Sequence, residues 1–308
     1  MHRIALYKAM ALGIAAAAGL TLAACGSSGG KSNPLSGGGG SKSVVIGSAN
    51  FPESQLLATI YQQALQAKGI KVTTKLNIGA REVYYPLIKK GTITILPEYN
   101  GALLTTSVSP SSTAASTAQV DAALKAGLPS TLEILNPSTA QDADSVTVTA
   151  AFAKKYHLKS IPDLKPIAKN MVFGGPPEFR TRADGLIGLK KNYGLVFKNF
   201  KPTDTSSTIT FTDLMNGSVQ AADVFTTSPQ IISDHFVVLA DPKNNFAAQN
   251  VLPLVYKPGV NAKIIGILNA VSAALSQTAL LQMDSALVVQ HASYSQVASG
   301  FLSATGLG

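Results

Sequence analysis

Hydrophobic and polar positions recur along the chain with two different periods. Between residues 56 and 65, apolar side chains return every three or four positions, which predicts a helix with one face on a core. Residues 72–76 alternate between apolar and polar, which predicts a half-buried strand. Strand and helix patterns follow each other in this way through most of the chain from residue 43 onward. The sequence therefore predicts an α/β fold with mostly parallel sheets.

The same periods place the individual elements. The first helix is predicted to begin at Pro52 with Asn50 as its cap, and the tail at residues 262–290 is predicted to form two helices. Further helices are predicted at residues 82–90 and 114–126. Strands are predicted at residues 44–46, 72–76, 93–96, 132–135, 146–148, 171–173, 219–225, 236–239 and 251–256.

Two polar stretches, residues 136–144 and 244–250, are interpreted as crossovers between two lobes. Lobe 1 is predicted to comprise residues 43–142 and 247–308, and lobe 2 residues 143–246. A two-lobed α/β protein binds its ligand in the cleft between the lobes, beyond the carboxyl ends of strands.

The first 42 residues have a different character. Arg3 and Lys8 precede the uncharged apolar residues 9–24, a run too short for a typical membrane span. The run ends in LAAC, which resembles the lipobox of bacterial lipoproteins and predicts lipidation of Cys25. The alternative is an ordinary cleaved signal with an incidental cysteine. Residues 26–42 are rich in glycine and serine, which predicts a flexible tether behind the signal segment of residues 1–25.

Composition and charge narrow the class of protein. Hydrophobic residues make up 46% of the 308 residues and charged residues 13%, which is enough apolar material for sizeable cores. The net charge of +9 is spread without a basic block, so we interpret it as a solvated basic surface and expect no nucleic-acid partner. Catalytic motifs are absent, the four histidines lie far apart and Cys25 is the single cysteine. We expect no enzyme activity, no cofactor and no metal site.

Seven short segments carry a resemblance to a known family. They are IGSANFPES at residues 46–54, LNIGAREV at 76–83, LPEYNG at 96–101, FGGPPEF at 173–179, DGLIGL at 184–189, ADVFTT at 222–227 and NVLPL at 250–254. In this order they resemble the glycine betaine/choline-type (osmoprotectant, ProX-like) substrate-binding lipoproteins of ABC importers. The resemblance implies a two-lobed periplasmic-binding fold, type II-like, that closes on a small solute. It also implies an extracytoplasmic monomer, held at the cell membrane by a lipid, that delivers solute to a permease and its ATPase.

Family members that bind quaternary ammonium compounds hold them in an aromatic box by cation–π contacts. By resemblance, Tyr99 occupies one box position, while the others fall near Val146 and within residues 246–250. The chain has no tryptophan, so the cage is expected to be largely absent. Two kinds of solute therefore stay open: glycine betaine, choline or carnitine, and a polyol, sugar or polyhydroxylated aromatic. A surface sensor or adhesin on the same scaffold is a further alternative.

Candidate ligand-binding residues are polar or aromatic side chains at strand ends and crossovers. Asp144 suits a cationic or hydroxylated solute, and Asn50 lies at a turn whose backbone N–H groups suit an acidic one. Glu178 has the alternative role of complementing a helix dipole, and Arg81 and Glu82 are interpreted as a surface pair. The predicted ligand-binding residues are Ser48, Asn50, Ser54, Tyr99, Asp144, Ser145, Glu178, Phe179, Thr226, Thr227, Gln249 and Asn250.

Overall fold

A computed structural model of the protein describes residues 43–308. The predicted signal segment, the tether and Cys25 lie outside the described residues. In the described part, strands form two five-stranded sheets. The strands are β1 (Val44–Gly47), β2 (Val72–Lys75), β3 (Ile95–Tyr99), β4 (Leu132–Ile134), β5 (Asp144–Thr149), β6 (Val172–Gly175), β7 (Asn199–Pro202), β8 (Ala221–Phe225), β9 (Phe236–Val238) and β10 (Val251–Tyr256).

Both sheets are mixed. The first has the order β2-β1-β3-β10-β4 and the second the order β7-β6-β8-β5-β9. β1 pairs parallel to β2 and β3, whereas β10 runs antiparallel to β3 and β4. β6 pairs parallel to β7 and β8, whereas β5 runs antiparallel to β8 and β9. The prediction of mostly parallel sheets is therefore wrong, because β5 and β10 each enter their sheet from the opposite sheet and run against their neighbours.

Helices cover the sheets. They are α1 (Pro52–Ala67), α2 (Arg81–Lys89), α3 (Asn100–Leu103), α4 (Thr117–Gly127), α5 (Ala150–Tyr156), α6 (Leu186–Tyr193), α7 (Thr208–Met215), α8 (Gln230–Ser233), α9 (Ala262–Ala274), α10 (Gln277–Val288) and α11 (Tyr294–Thr305). A π-helical turn, Leu104–Val108, continues α3, and short 3-10 helices lie at Ile161–Leu164, Ala168–Asn170, Pro177–Arg180 and Lys257–Gly259.

Capping residues explain where the tail helices begin, and they account for one departure from the predicted helices. The prediction of two helices over residues 262–290 is confirmed by α9 and α10, and α11 follows beyond that range. The hydroxyls of Ser276 and Ser293 accept hydrogen bonds from the first turns of α10 and α11. The residue that caps α1 is Phe51, without a side-chain hydrogen bond, so Asn50 is not the cap. None of the described helices alone has the length and apolarity of a membrane span; only α9 and α10, bent by 88°, meet that measure together.

Each sheet has its own apolar core. Leu56, Ile60 and Leu65 of α1 are fully buried against the first sheet, and α9 and α11 pack on the same helix. Phe173 of β6 is fully buried in the core on the second sheet. One ring departs from this separation, because Phe225 at the end of β8 packs against the core of the first sheet. We keep the names lobe 1 and lobe 2 for the predicted residue ranges that surround the two sheets.

The two connections between the sheets run side by side. The backbone N–H of Asp142 donates to the carbonyl of Gln249 at 3.1 Å, and Gln141 and Asn250 form an antiparallel bridge. The side-chain amide of Asn250 also donates to the carbonyl of Ser138 at 3.0 Å. Paired crossovers of this kind let the lobes move as a hinge while they keep the two segments together.

A substitution at Gly101 tests how closely lobe 1 approaches the second crossover. A Cβ atom at Gly101 would lie 2.4 Å from the carbonyl oxygen of Ala248. We expect Gly101→Ala to lower the free energy of unfolding by about 1–3 kcal/mol, because backbone on both sides must shift. Urea denaturation measures this change.

Gly266 in α9 provides the matched control, since a Cβ atom there meets nothing within 4 Å. Gly266→Ala is expected to raise the free energy of unfolding by up to about 1 kcal/mol through helix propensity. Equal effects of the two substitutions would contradict the close approach.

Candidate ligand-binding site

A cavity with an empty volume of about 430 Å³ lies between the lobes. The turn from β1 to α1, the end of β3, the start of β5 and the end of β8 all reach it. The residues that line it are Ala49, Asn50, Phe51, Ala80, Arg81, Tyr84, Tyr99, Ala102, Asp142 and Gln249 of lobe 1, and Asp144, Glu178, Arg182, Thr205 and Phe225 of lobe 2. Ligand cavities of α/β proteins commonly have this position.

Aromatic rings from both lobes line the cavity. Phe51 lies 5.9 Å from Tyr99 and 5.0 Å from Phe225, measured between ring centroids, and Tyr84 lies on the same wall. Besides Tyr99, three further rings thus line the cavity, from positions other than those that the resemblance gave for the box. In the sequence, Phe225 ends the buried strand β8, and Phe51 lies in the turn between β1 and α1.

Carboxyl groups occupy the hinge side of the cavity. Asp144 accepts a hydrogen bond from the amide of Gln249 at 3.1 Å, so this contact joins lobe 2 to lobe 1. Asp142 accepts from the backbone N–H of Thr227 at 3.1 Å. Burial raises the pKa of Asp142 well above its ordinary value, and the nearby carboxylate of Glu53 adds to this effect.

Two more carboxyl groups lie behind this wall. Asp223 in β8 is 2% exposed, and one of its oxygens has no hydrogen-bond donor among the described residues. Burial raises the pKa of Asp223 well above its ordinary value, and Asp144 raises it further. Asp184 accepts from the hydroxyl of Thr105 at 2.6 Å, and burial raises its pKa as well. Carboxyl groups therefore lie both on the wall of the cavity and behind it.

The arginines of the cavity are both held by glutamates. Arg81 is buried, and its guanidinium donates to both oxygens of Glu98 at 2.9–3.1 Å. Burial opposes the charged form of Arg81, but the carboxylate of Glu98 outweighs burial, so the pKa of Arg81 is raised. Glu82 instead contacts Arg182 of lobe 2 at 3.1 and 3.2 Å. The interpretation of Arg81 and Glu82 as a surface pair is therefore wrong, because successive residues at the start of α2 point in different directions.

Contacts across the cleft hold the lobes together. Besides the pair of Glu82 and Arg182, the hydroxyl of Thr105 in lobe 1 contacts Asp184 in lobe 2. Thr105 lies in the π-helical turn Leu104–Val108, a conformation often found at functional sites. These polar contacts and the ring pair of Phe51 and Phe225 form the closed arrangement of the cleft.

Several predicted ligand residues line the cavity, and others support its walls. Asn50, Tyr99, Asp144, Glu178 and Gln249 line it. Their contact with a ligand stays a prediction.

Two predicted serines lie beneath the turn that carries Asn50 and Phe51. The hydroxyl of Ser48 accepts from the backbone N–H of Asn77 at 2.9 Å, and that of Ser54 accepts from Ala49 at 3.0 Å. Both hydroxyls therefore fix the shape of the turn.

The remaining predicted residues lie in lobe 2 or at the hinge. Ser145 donates to the carbonyl of Val224 at 2.6 Å inside the second sheet, and Phe179 stacks on Phe173 in the core of lobe 2. Thr226 accepts from the backbone N–H of Ala143 at 2.9 Å. Thr227 is buried beside Asp142, and Asn250 accepts from the hydroxyl of Thr117 at 2.7 Å. The structure thus places these side chains around the cavity rather than on its wall.

Two α/β lobes, two adjacent crossovers and a ring-lined cleft define the class of two-lobed solute-binding proteins. Comparison with known families agrees with this class, since the family described as the substrate binding domain of ABC-type glycine betaine transport systems matches residues 42–304. The chain belongs to this family. It is therefore the solute-binding component of an ABC importer and not an enzyme, as the resemblance in the sequence implied.

Individual relatives are distant. The glycine-betaine-binding protein of Pseudomonas aeruginosa PAO1 is 24% identical over 231 residues, which are 70% of this chain and 72% of the relative. The ergothioneine transport permease/ergothioneine binding protein EgtU of Helicobacter pylori G27 is 30% identical over 102 residues, which are 33% of this chain and 18% of that protein. The chain thus spans less than a fifth of the second relative.

Solved structures share the fold. A glycine betaine/carnitine/choline ABC transporter structure has a TM-score of 0.66 at 20% identity, covering 86% of this chain and 99% of that one. Lactococcal OpuAC, closed on glycine betaine, has a TM-score of 0.59 at 14% identity, covering 86% of this chain and 96% of that one. YehZ from Escherichia coli has a TM-score of 0.60 at 24% identity, covering 87% and 100%.

The ion pair of Glu82 and Arg182 is expected to favour the closed arrangement. Glu82→Gln keeps the shape of the side chain and removes its charge. We expect the equilibrium to shift toward the open form by about 0.2–1 kcal/mol, because the Glu82 side chain is 48% exposed. Energy transfer between labels at the exposed positions Lys125 and Met215, one on each lobe, measures the shift.

Lys201→Gln serves as the control, since Lys201 pairs with Asp213 inside lobe 2 at 2.8 Å. This variant is expected to leave the distance between the labels unchanged. A Glu82→Gln distance distribution identical to that of the control would show that the pair does not hold the cleft.

Proposed function

We propose that the chain captures a small organic cation with a methylated ammonium head, of the choline type, and delivers it to an ABC permease driven by an ATPase. The observation that carries this proposal is the set of four rings and three carboxyl side chains on the wall of one cavity. The rings are Phe51, Tyr84, Tyr99 and Phe225, and the carboxyl side chains are Asp142, Asp144 and Glu178.

Ring faces and carboxylates together suit a methylated cation. A quaternary ammonium group has no N–H to donate, so ring faces and nearby negative charge are the contacts that attract it. Phe51 and Tyr99 come from lobe 1, and Phe225 comes from lobe 2. A cation in the cavity beside these rings would contact both lobes at once. Solute binding would therefore stabilise the closed arrangement, which is the form that a permease is expected to accept.

The charge of the cavity favours a cation over a zwitterion. A solute carboxylate needs a positive partner, and the cationic residues that line the cavity are Arg81 and Arg182. Each is already held by a glutamate, Glu98 and Glu82 respectively. Glycine betaine would also bring its carboxylate next to Asp142 and Asp144. We therefore expect choline to bind more tightly than glycine betaine.

A polyhydroxylated aromatic is the second candidate solute. The polar wall of the cavity supports it, since Asn50, Asp144, Glu178 and Gln249 offer hydrogen-bond acceptors beside the rings. Such a solute would stack on Tyr99 and donate its hydroxyls to the carboxylates. It differs from the first candidate in needing no positive charge.

A matched pair of ligands separates the two candidates. Choline and its uncharged isostere 3,3-dimethylbutan-1-ol have the same shape, so only the charge differs. We expect calorimetry to show about 5–30-fold tighter binding of choline, since a desolvated cation–π contact contributes about 1–2 kcal/mol. Phe225→Leu should weaken choline binding, while Tyr156→Leu at an exposed position of lobe 2 should not.

Three other results would change the proposed identity of the solute. Equal affinity for choline and its isostere would contradict recognition of a cation. Binding of a catechol or flavonoid without binding of choline would establish the second candidate. Ergothioneine and glycine betaine belong in the same panel, because they test whether a carboxylate on the solute is tolerated.

We further propose that Cys25 carries a lipid that holds the protein at the outer face of the cell membrane. The support is the LAAC segment at the end of an apolar run, followed by a glycine- and serine-rich stretch. Cys25→Ser is expected to move the protein from the detergent phase to the aqueous phase in phase partition of cell extracts. Lipidation that persists in the serine variant would contradict the assignment.

A further inference from the structure

Two buried carboxyl groups lie behind Tyr99 and outside the set of predicted ligand residues. Glu53 is in the first turn of α1, Asp284 is in α10, and each is 4% exposed. The hydroxyl of Tyr99 donates to one oxygen of Glu53. The other oxygen of Glu53 and one oxygen of Asp284 have no N–H or hydroxyl partner among residues 43–308.

The proximity of Glu53 to Asp284 accounts for the two oxygens that have no donor. Glu53 and Asp284 lie within hydrogen-bonding reach of one another. Two adjacent carboxylates cannot both stay ionised in a buried place, whereas one shared proton satisfies both oxygens. Burial raises the pKa of Glu53 and, together with the neighbouring Glu53, the pKa of Asp284.

The side chains around the pair that titrate or form hydrogen bonds are hydroxyls and a carboxyl group, and Phe51, Phe225 and Val288 line a cavity beside it. Asp142 faces it from the first crossover, Tyr99 from β3 and Thr227 from the segment after β8. The ion pairs found in the described part of the chain engage other carboxylates, so no lysine, arginine or histidine there neutralises this pair. A proton shared between Glu53 and Asp284 therefore removes the repulsion between the two carboxylates.

We propose that Glu53 and Asp284, joined by a shared proton, position the ring of Tyr99 for the solute. The hydrogen bond from the Tyr99 hydroxyl to Glu53 fixes the ring at the wall of the cavity. It also draws the phenol proton toward the carboxyl group, which enriches the ring in electron density and strengthens its attraction for a cation. Glu53 and Asp284 are thus positioning residues, and their role in binding rests on the proposed function.

The proton of the pair has a defined effect on stability. A carboxyl group whose pKa is raised by folding stabilises the fold most at low pH and loses that contribution as the pH rises through the raised pKa. Loss of the shared proton leaves two negative charges buried beside Asp142. The free energy of unfolding is therefore expected to fall as the pH rises above the ordinary carboxyl range.

Glu53→Gln on the full chain tests the pair. Glutamine still accepts from Tyr99 and donates to Asp284, but it cannot ionise. We expect the fall in the free energy of unfolding between about pH 5 and about pH 9 to be smaller in this variant than in the wild type. Urea denaturation across this range measures it, with Glu133→Gln at an exposed position of β4 as the control.

Choline affinity tests the positioning. Glu53→Gln should bind choline within about threefold of the wild type, whereas Glu53→Leu, which removes the acceptor, should bind it at least about tenfold more weakly. Asp284→Asn tests the same pair from α10 if a Glu53 variant does not fold.

The outcomes separate the two proposals. Unfolding profiles of Glu53→Gln and Asp284→Asn that run parallel to the wild type would overturn the shared proton. Wild-type choline affinity in Glu53→Leu would overturn the positioning role. If the wild type binds no choline at any pH, the proposed function fails, and the unfolding profiles still decide whether the pair exists.

Discussion

The double passage of the chain between its two sheets is the constraint on which the rest of the structure depends. The crossovers are hydrogen-bonded neighbours through Asp142, Gln249 and Asn250. Both crossovers lie on the hinge side of the molecule. The lobes can therefore approach each other only across the cleft on the opposite side. This geometry brings the ends of β1, β3, β5 and β8 to one cavity. It also explains why β5 and β10 run antiparallel to their neighbours, since each enters its sheet from the other lobe.

The same closure concentrates carboxyl groups. Asp142, Asp144, Asp184 and Asp223 are all buried around the cleft, and the pKa of Asp142, Asp184 and Asp223 is raised by burial. Such an arrangement is a cost to folding that the apolar cores of the two sheets must offset. Functional sites commonly lower the stability of the fold in this way, and a bound cation would offset the unfavourable free energy of the buried carboxyl groups. The electrostatics of the fold and the proposed solute are therefore two consequences of one arrangement.

Membership of the family does not by itself define the site. At 20% identity or less, solved relatives share the two-lobed fold, yet this chain reaches its cavity with Phe51, Tyr84 and Phe225 as well as Tyr99. Phe51 lies in the turn before α1, Tyr84 lies in α2, and Phe225 ends β8, so these three rings do not come from the crossovers. Any element that ends at a cleft between two sheets can supply a ring, so the fold permits different ring positions without a change of architecture.

The sequence by itself determined the α/β class and the family, because periodicity, turn residues and short motifs are local properties of the chain. It also placed Tyr99, Asp144 and Gln249 at strand ends and crossovers. Only the tertiary structure decided which side chains meet. Arg81 pairs with Glu98 rather than with Glu82, Glu82 reaches Arg182 at a separation of 100 residues, and the hydroxyl of Tyr99 donates to Glu53. Such contacts depend on how helices and sheets pack, and no local pattern records which distant residues that packing brings together.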